Sequence, residues 1–368
     1  MALRVLKFGG SSLETLGHIE QVAERVAQSQ RAGDRLVVVC SAMGRATEQL
    51  LELAASTAPG AAGRELDMLV TAGERVSAAL LSLRLGHIGI PSWSLTGSQS
   101  GIVTDGEHGG ARIVAVRPHR VRAGLAAGRV VVVAGFQGVS EGGEVTALAR
   151  GGSDTTAVAL AAALGADACE IYSDVDGIYA ADPRLVADAR HLPTIDLQAM
   201  QALAEGGARV LAAEAVAFAR RAGIAIDAGH AHGGRRRTSL TTDWRAADEP
   251  LAAVASCPAL WQPGPPAPAA AGDRAEHEAV LWASPGERWL RRLEQAADGE
   301  TGRKVAWLTV VGRPSVQPLV APALAALAGL DDARWIGADG LRAWFAVPAA
   351  AEGEAVRRVH AALGRRPS

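Results

Sequence analysis

The chain has 368 residues, a formal net charge of −2, 49% hydrophobic residues and 4% aromatics. This length exceeds one typical domain, and the near-neutral charge argues against nucleic acid as the main partner. Cys40, Cys169 and Cys257 are few and far apart, so no disulfide framework is implied; no long apolar run resembles a leader or a membrane span, and a soluble cytoplasmic protein is expected.

Residues 3–8 (LRVLKF) predict a first strand, and Leu16, Ile19, Val22, Ala23 and Val26 recur at helical spacing over 16–30. Between them stands Lys7-Phe8-Gly9-Gly10-Ser11-Ser12. Only two of the 37 Lys and Arg residues are lysines, Lys7 and Lys304. A chain that writes nearly every cation as Arg, yet keeps Lys before a Gly-Gly pair, has use for a compact point charge rather than a planar fork. Glycines let the backbone approach a ligand, and free N–H groups at a helix start favour phosphate. The Lys precedes the glycines, so this is not a Walker loop. An ordinary strand–turn–helix would also place Gly in its turn.

Strand-like runs at 36–39, 130–134 and 170–173 then alternate with helical patterns at 45–57, 65–85, 154–164, 196–205 and 208–222. The alternation predicts an α/β domain with a mostly parallel sheet, whose ligands sit at the carboxyl ends of strands. The polar and Gly-rich motifs follow Phe8, Val39, Ala134 and Tyr172, where such ends fall. Glu74, near a helix start, is either a capping charge or a buried carboxylate for a ligand ammonium.

Arg150-Gly151-Gly152-Ser153-Asp154-Thr155-Thr156 precedes an apolar helix. Its N–H groups, Ser153 and Arg150 make an anion-binding constellation, with Asp154 beside it to orient Lys7 or a metal-bound phosphate. A Ser or Asp N-cap is the plainer reading. Ser173-Asp174-Val175-Asp176-Gly177-Ile178-Tyr179, then Asp182-Pro183-Arg184, suits a nucleotide or metal site, or an Asp-rich turn; its spacing is not that of an EF-hand. His230-Ala231-His232 places two imidazoles on one strand face, without Cys or carboxylate at metal-ligand spacing.

A boundary follows. Gly233-Gly234-Arg235-Arg236-Arg237 reads as a solvated basic turn, and residues 258–273 hold five prolines and read as a linker or surface loop. Seven of the eight tryptophans lie at or after Trp244, which sets residues 246–368 apart from 1–245. Within the later region, 304–311 and 342–347 predict strands and 316–328 and 353–363 helices, a βαββα-like regulatory pattern.

These blocks, in this order, resemble the aspartokinases of the amino-acid kinase superfamily. The likeness covers residues 3–226: KFGGSS at 7–12, CSAMGRATE at 40–48, TAGERVSAAL at 71–80, LTGSQSGIVTDGEHGGARI at 95–113, VVVAGFQGV at 131–139 and TALARGGSDTTAVALAAALGADACEIYSDVDGIYAADPR at 146–184. The resemblance implies a three-layer α/β/α sandwich for residues 1–245, and a degenerate α+β ACT-like regulatory or dimerisation region for 246–368. It implies phosphorylation of the L-aspartate side-chain carboxylate by ATP with Mg2+, giving 4-phospho-L-aspartate and ADP, in a homodimer serving amino-acid biosynthesis. By position, Lys7 and Asp154 are catalytic. Ser41, Thr47, Glu74, Phe136, Arg150 and Ser153 contact aspartate. Lys7, Gly9, Gly10, Ser11, Ser173, Asp174, Tyr179, Asp182, Arg184 and Arg209 serve ATP.

The departures from the family pattern are local. Ala149 replaces a Gly before Arg150, Arg209 replaces a Lys and keeps its charge, and Ala212-Ala213-Glu214 stands where the family has His-Pro-Arg. Residues 304–363 match the second ACT repeat in outline, with Arg313-Pro314-Ser315 in place of the effector-loop residues, and the first repeat is barely recognisable over 251–300. Weak or no feedback by lysine or threonine is therefore expected. Two other readings are a non-catalytic amino-acid-sensing paralogue and a specialised-pathway kinase acting on an aspartate analogue. The intact set Lys7, Glu74, Arg150 and Asp154 argues against the first.

Overall fold

The structure is a computed structural model that describes residues 1–234, 236–243, 251–263, 280–284, 288–292 and 303–364. Contacts divide the chain into two units, and the division is not sequential. The described part of the first unit is 1–178, 192–198, 210–234 and 236–243; the second takes 179–191, 199–209 and the described residues from 251 onward.

Val-rich strands build the first unit. In chain order they are β1 (Leu3–Phe8), β2 (Arg35–Cys40), β3 (Ser92–Leu95), β4 (Ile102–Thr104), β5 (Ile113–Val116), β6 (Val130–Ala134), β7 (Gln137–Ser140), β8 (Val145–Ala147) and β9 (Ala168–Ser173). A short ribbon, β10 (Ile178–Tyr179) with β11 (His191–Leu192), is followed by β12 (Thr194–Asp196), β13 (Ile226–His230) and β14 (Arg237–Thr241). The helices up to Ala222 are α1 (Leu16–Arg31), α2 (Ala46–Thr57), α3 (Arg64–Val70), α4 (Ala72–His87), α5 (Gly97–Ser100), α6 (His119–Ala126), α7 (Gly152–Leu164), α8 (Leu197–Glu205) and α9 (Ala213–Ala222), of which α8 belongs to the second unit from Ala199 on.

Eight strands form one sheet in the order β12-β14-β13-β9-β1-β2-β6-β3, parallel except where β13 meets β14. A sheet covered on both faces needs apolar residues at both parities. Accordingly, all five residues of β6 and five of the six in β2 are buried. Leu6, Phe8, Val38 and Val132 face Ile19, Val22 and Val26 of α1 and Leu81 and Leu85 of α4 in one core. The opposite parity, including Val5, Val37 and Val131, is also fully buried. The result is the α/β/α sandwich. A second sheet, β5-β4-β7-β8, stands beside it.

Leu16 departs from the expected helix face: it is exposed as the first residue after the Thr15 cap. The helix expected over 65–85 is two, because the chain turns at Thr71 and Gly73 brings α4 against Ala42; a Cβ on Gly73 would stand 2.8 Å from that of Ala42. The helix expected from 208 begins at Ala213, since the Ala212 N–H is directed to Asp154 and Gly207 has φ +112°. Arg237 is no free loop cation: it opens β14 and donates to Tyr172 Oη at 2.8 Å.

In the second unit, six strands form an antiparallel sheet. They are β15 (Ala252–Pro263), β16 (Val280–Ser284), β17 (Arg288–Arg292), β18 (Arg303–Gly312), β19 (Arg334–Ala338) and β20 (Arg342–Pro348), ordered β16-β17-β15-β18-β20-β19. Helices α10 (Gln317–Leu327) and α11 (Glu352–Gly364) pack Ala323, Leu327, Val356 and Val359 against Leu308, Val310 and Phe345. The expected βαββα run is present as β18-α10-β19-β20-α11. The expected linker is not: residues 258–263 continue β15, with Pro258 opposite Ala306, and residues 264–273 lie outside the described residues.

Candidate active site

Strand alternation decides where Lys7 points. Leu6 and Phe8 face α1, so Lys7 leaves β1 on the other side of the sheet. There its Nζ meets Asp154 Oδ1 at 2.7 Å, with both residues buried. Asp154 sits in the first turn of α7, where a negative charge suits the helix dipole. Its Oδ2 accepts the Ala212 N–H at 3.4 Å.

Glycines hold the surrounding backbone close. Gly9 donates its N–H to Tyr172 O at 3.0 Å, and a Cβ on Gly9 would stand 3.5 Å from Lys7 Nζ. A Cβ on Gly10 would lie 2.9 Å from Ala42 O. Gly151 has φ +80°, and a Cβ there would meet Ala212 Cβ at 2.2 Å, a distance no side chain tolerates. Gly135 lies against Ser153, whose Cβ and Oγ would each be 2.9 Å from an added Cβ.

The turn after Gly10 is not the start of α1. Ser11–Leu13 forms a separate 3-10 turn, and α1 begins after Thr15, which accepts the His18 N–H. Ser11 is exposed. Ser12 is the inward hydroxyl: it is buried, its Oγ lies 4.0 Å from a Cβ on Gly9, and it has no hydrogen-bond partner among the described residues. Thr155 Oγ1, on α7, is in the same condition. Sequence reasoning passed over both, because which hydroxyl of a Ser-Ser or Asp-Thr-Thr run faces inward depends on the turn.

Glu74 opens α4 and is buried. Its Oε1 accepts the Ala42 N–H at 3.2 Å, while Oε2 has no partner among the described residues. Burial pushes its carboxyl up to about 7, against the opposing pull of backbone N–H groups and Arg75. Burial, with Glu74 adding to it, pushes the Cys40 thiol up to about 12. Ser41 follows β2, donating its N–H to Phe8 O and accepting the Ser77 hydroxyl at 2.6 Å. Thr47 is half-buried in the first turn of α2.

Phe136 has φ +64°. A bulky residue pays of order 1–3 kcal/mol for that conformation. Its C=O accepts the Leu148 N–H at 2.9 Å, and its ring lies 3.2 Å from a Cβ on Gly152. Arg150 is exposed just before this turn. Ser173 Oγ accepts the Val175 N–H at 3.4 Å, and Asp174 is exposed.

Tyr179, Asp182, Arg184 and Arg209 belong to the second unit. There Arg184 grips Asp182 through Nε and Nη2, at 3.0 and 2.7 Å, and this hydrogen bonding holds the Asp182 carboxyl below its ordinary value. Tyr179 packs edge-on to His191. The rings of His230 and His232 are 6.1 Å apart, and among the described residues no three His, Cys, Asp or Glu side chains form a metal-binding group. No described helix is long and apolar enough to cross a membrane.

Residues 2–227 match the model of the amino acid kinase family. This chain belongs to that family. It is 55% identical over 221 residues to an aspartokinase of Corynebacterium efficiens, covering 60% of this chain and 52% of that protein. An aspartokinase of Mycolicibacterium smegmatis is 52% identical over 227 residues, with 61% and 54% covered. The chain thus spans about half the length of the curated relatives it matches. The aspartate kinase structure from Synechocystis is 31% identical, with a TM-score of 0.60, and is matched over 100% of this chain and 70% of its own. Aspartokinase III of Escherichia coli, solved with aspartate and ADP, shares the fold with a TM-score of 0.80 at 22% identity, over 99% of this chain and 100% of its own.

The buried Glu74 makes a pH-dependent stability prediction. Below about 4.5 the carboxyl is protonated in both the folded and the unfolded chain. Between there and about 7 only the unfolded chain ionises, so stability falls as pH rises through 7. Urea unfolding of ligand-free Glu74→Gln is expected to show a gain over wild type at pH 8 that is about 2–4 kcal/mol larger than any gain at pH 4. An equal difference at both pH values would mean that Glu74 is not held protonated by burial.

Proposed function

We propose that this protein is an aspartate kinase: it transfers the γ-phosphoryl group of ATP to the side-chain carboxylate of L-aspartate, giving 4-phospho-L-aspartate and ADP. The observation that carries the reading is the buried Lys7–Asp154 pair at the carboxyl end of β1, walled by glycine backbone. The aspartokinase relatives support the choice of substrate.

In the proposed reaction an aspartate carboxylate oxygen attacks the γ-phosphorus and ADP leaves. Phosphoryl transfer asks little covalent chemistry of a protein, and catalysis comes from positioning and electrostatics. Lys7 neutralises charge growing on the transferring group, and Asp154 fixes the ammonium. Gly9 and Gly10 bring backbone near the phosphates, and the free hydroxyls of Ser12 and Thr155 suit phosphate oxygens. Mg2+ would enter with ATP and offset phosphate charge.

Glu74 Oε2 awaits a cation, which the substrate ammonium supplies, and Arg150 takes the α-carboxylate as a bidentate fork. Ser41, Thr47, Phe136 and Ser153 complete the aspartate site. Ser173 and Asp174 serve the nucleotide, a role that rests on the resemblance. The proposal assigns catalysis to residues 1–245 and dimerisation or regulation to 246–368, in a cytoplasmic homodimer. Three buried free cysteines agree with a reducing compartment.

ADP release measured with aspartate, glutamate or no acceptor tests the reading; release that does not depend on aspartate would sink it. Lys7→Met is expected to lower kcat at least tenfold with aspartate affinity nearly unchanged, since one preorganised electrostatic contact contributes about 2–4 kcal/mol in the transition state.

Glu74→Gln and Arg150→Lys should each raise the KM for aspartate, the latter because a point charge does not replace a fork at a carboxylate. In wild type that KM should also rise as pH falls below about 7, where Glu74 loses its charge, and this dependence should vanish in Glu74→Gln. A flat wild-type profile would separate Glu74 from the substrate.

Lysine and threonine, singly or together, are expected to inhibit weakly or not at all, because Pro314 removes a backbone donor where an effector loop needs one. Activity titrated against each amino acid to saturation decides this; a saturable loss of most activity would reveal an effector site.

A further inference from the structure

Asp67 is a buried carboxylate with no part in the site described so far. It lies on α3, and both its oxygens are occupied. Oδ2 accepts the Ala147 N–H at 3.0 Å and lies 2.8 Å from His108 Nδ1; Oδ1 accepts the Gly109 N–H at 3.0 Å. Ala147 is the last residue of β8, an edge strand of the small sheet. Its C=O is taken by the Ala111 N–H. The carboxylate therefore completes the hydrogen bonding of a sheet edge as a neighbouring strand would, and fixes the 105–111 loop in the same act. Gly109 turns its N–H inward at φ +77°, a conformation that favours glycine.

A buried charge is costly unless fully bonded. A chain that merely needed to cover an apolar helix face would not place Asp here. The exposed Arg64–Glu144 pair joins α3 to the β7–β8 turn as well, but exposed pairs contribute little. Asp67 is the tie that holds.

What it holds is indicated by sequence position. Three residues after Ala147 comes Arg150. After Asp67 the chain turns at Thr71, whose Oγ1 donates to Asp67 O at 2.7 Å, and reaches Glu74 in the first turn of α4. Gln137 of β7 reinforces that turn, donating to Thr71 O at 2.9 Å. In the proposed function Glu74 and Arg150 bind the ammonium and the carboxylate on one carbon of aspartate. Two groups on one carbon demand a fixed spacing of their partners, and errors of a fraction of an ångström are costly.

We propose that Asp67, with His108, is a positioning latch that registers the Arg150 turn against the Glu74 helix and so sets affinity for the amino-acid substrate. This rests on the aspartate kinase reading. Neither residue touches the reacting atoms.

Steady-state kinetics and amide hydrogen exchange test it together. His108→Ala, which removes one tie and spares the buried carboxylate, should raise the KM for aspartate roughly threefold to tenfold, the range for one lost hydrogen bond. Its kcat and KM for ATP should stay within about twofold. His108→Asn, whose amide nitrogen can stand near the Nδ1 position, should restore the aspartate KM. Asp67→Asn turns an NH2 toward at least one facing N–H, and should show a larger aspartate effect with faster exchange at Gly109 and Ala147. Arg64→Ala should change none of these.

An unchanged aspartate KM in His108→Ala overturns the proposal, as does an equal effect on both substrates that Asn fails to rescue. Unaltered exchange at Gly109 and Ala147 in folded Asp67→Asn removes the latch itself. Failure of the wild type to release ADP with aspartate refutes the function instead, whatever the exchange shows, and takes the substrate half of the proposal with it.

Discussion

The Lys7–Asp154 pair is the contact on which the arrangement of the first unit turns. It joins the carboxyl end of a central strand to the first turn of a helix on one face of the sheet, so it ties two layers at the end where α/β sheets in general take their ligands. A buried ion pair seldom adds much stability, because desolvation offsets the attraction. Its use here is geometric. Asp154 stops the ammonium from seeking water, and Lys7 stops the helix-start carboxylate from standing alone. In the proposed function the transferring phosphoryl group finds here a charge already aimed, and little reorganisation is needed.

Backbone contact does the rest. Gly10 lies on Ala42, Gly151 on Ala212, Gly152 on Leu148 and Gly135 on Ser153, each closer than a Cβ permits. Gly10 thus meets the backbone of Ala42, and the other three leave room for the side chain of the partner residue, so loops from several strand ends approach closely. Such a floor is rigid because close-packed atoms have nowhere to move. Phe136 fits the same picture: it is held at positive φ while its C=O pairs with Leu148, a strain the neighbouring contacts must over-determine.

Much of this was legible. The strands at 3–8 and 130–134 declare themselves by Val-rich runs, α1 by its apolar spacing, and the Lys7 and Arg150 turns by residue types that pure structure does not require. What was not legible depended on three-dimensional fit. Nothing in the sequence says that Ser12 rather than Ser11 turns inward, since a 3-10 turn intervenes before α1. The break at Thr71 is hidden because 64–87 carries a continuous helical pattern, and only the approach of Gly73 to Ala42 redirects it. Prolines at 258–263 read as linker, yet Pro258 sits within the β15–β18 pairing as one residue in a long antiparallel ladder.

Two buried carboxylates seven positions apart, Asp67 and Glu74, differ in how completely they are bonded. Asp67 and Glu74 are both almost wholly removed from water. Asp67 has donors on both oxygens, so its charge is spent inside the protein and holds elements in register. Glu74 has one oxygen bonded to Ala42 and, among the described residues, no partner for the other, and burial pushes its carboxyl up to about 7. An incomplete set of bonds costs stability, of order 1–3 kcal/mol for a buried polar group. Folding gains nothing from it. In the proposed function the substrate ammonium fills this gap with a positive donor, which makes the deficiency the recognition element of that reading. The sequence shows two acidic residues near helix starts; the count of donors around each is what separates them, and the two proposals rest on that difference.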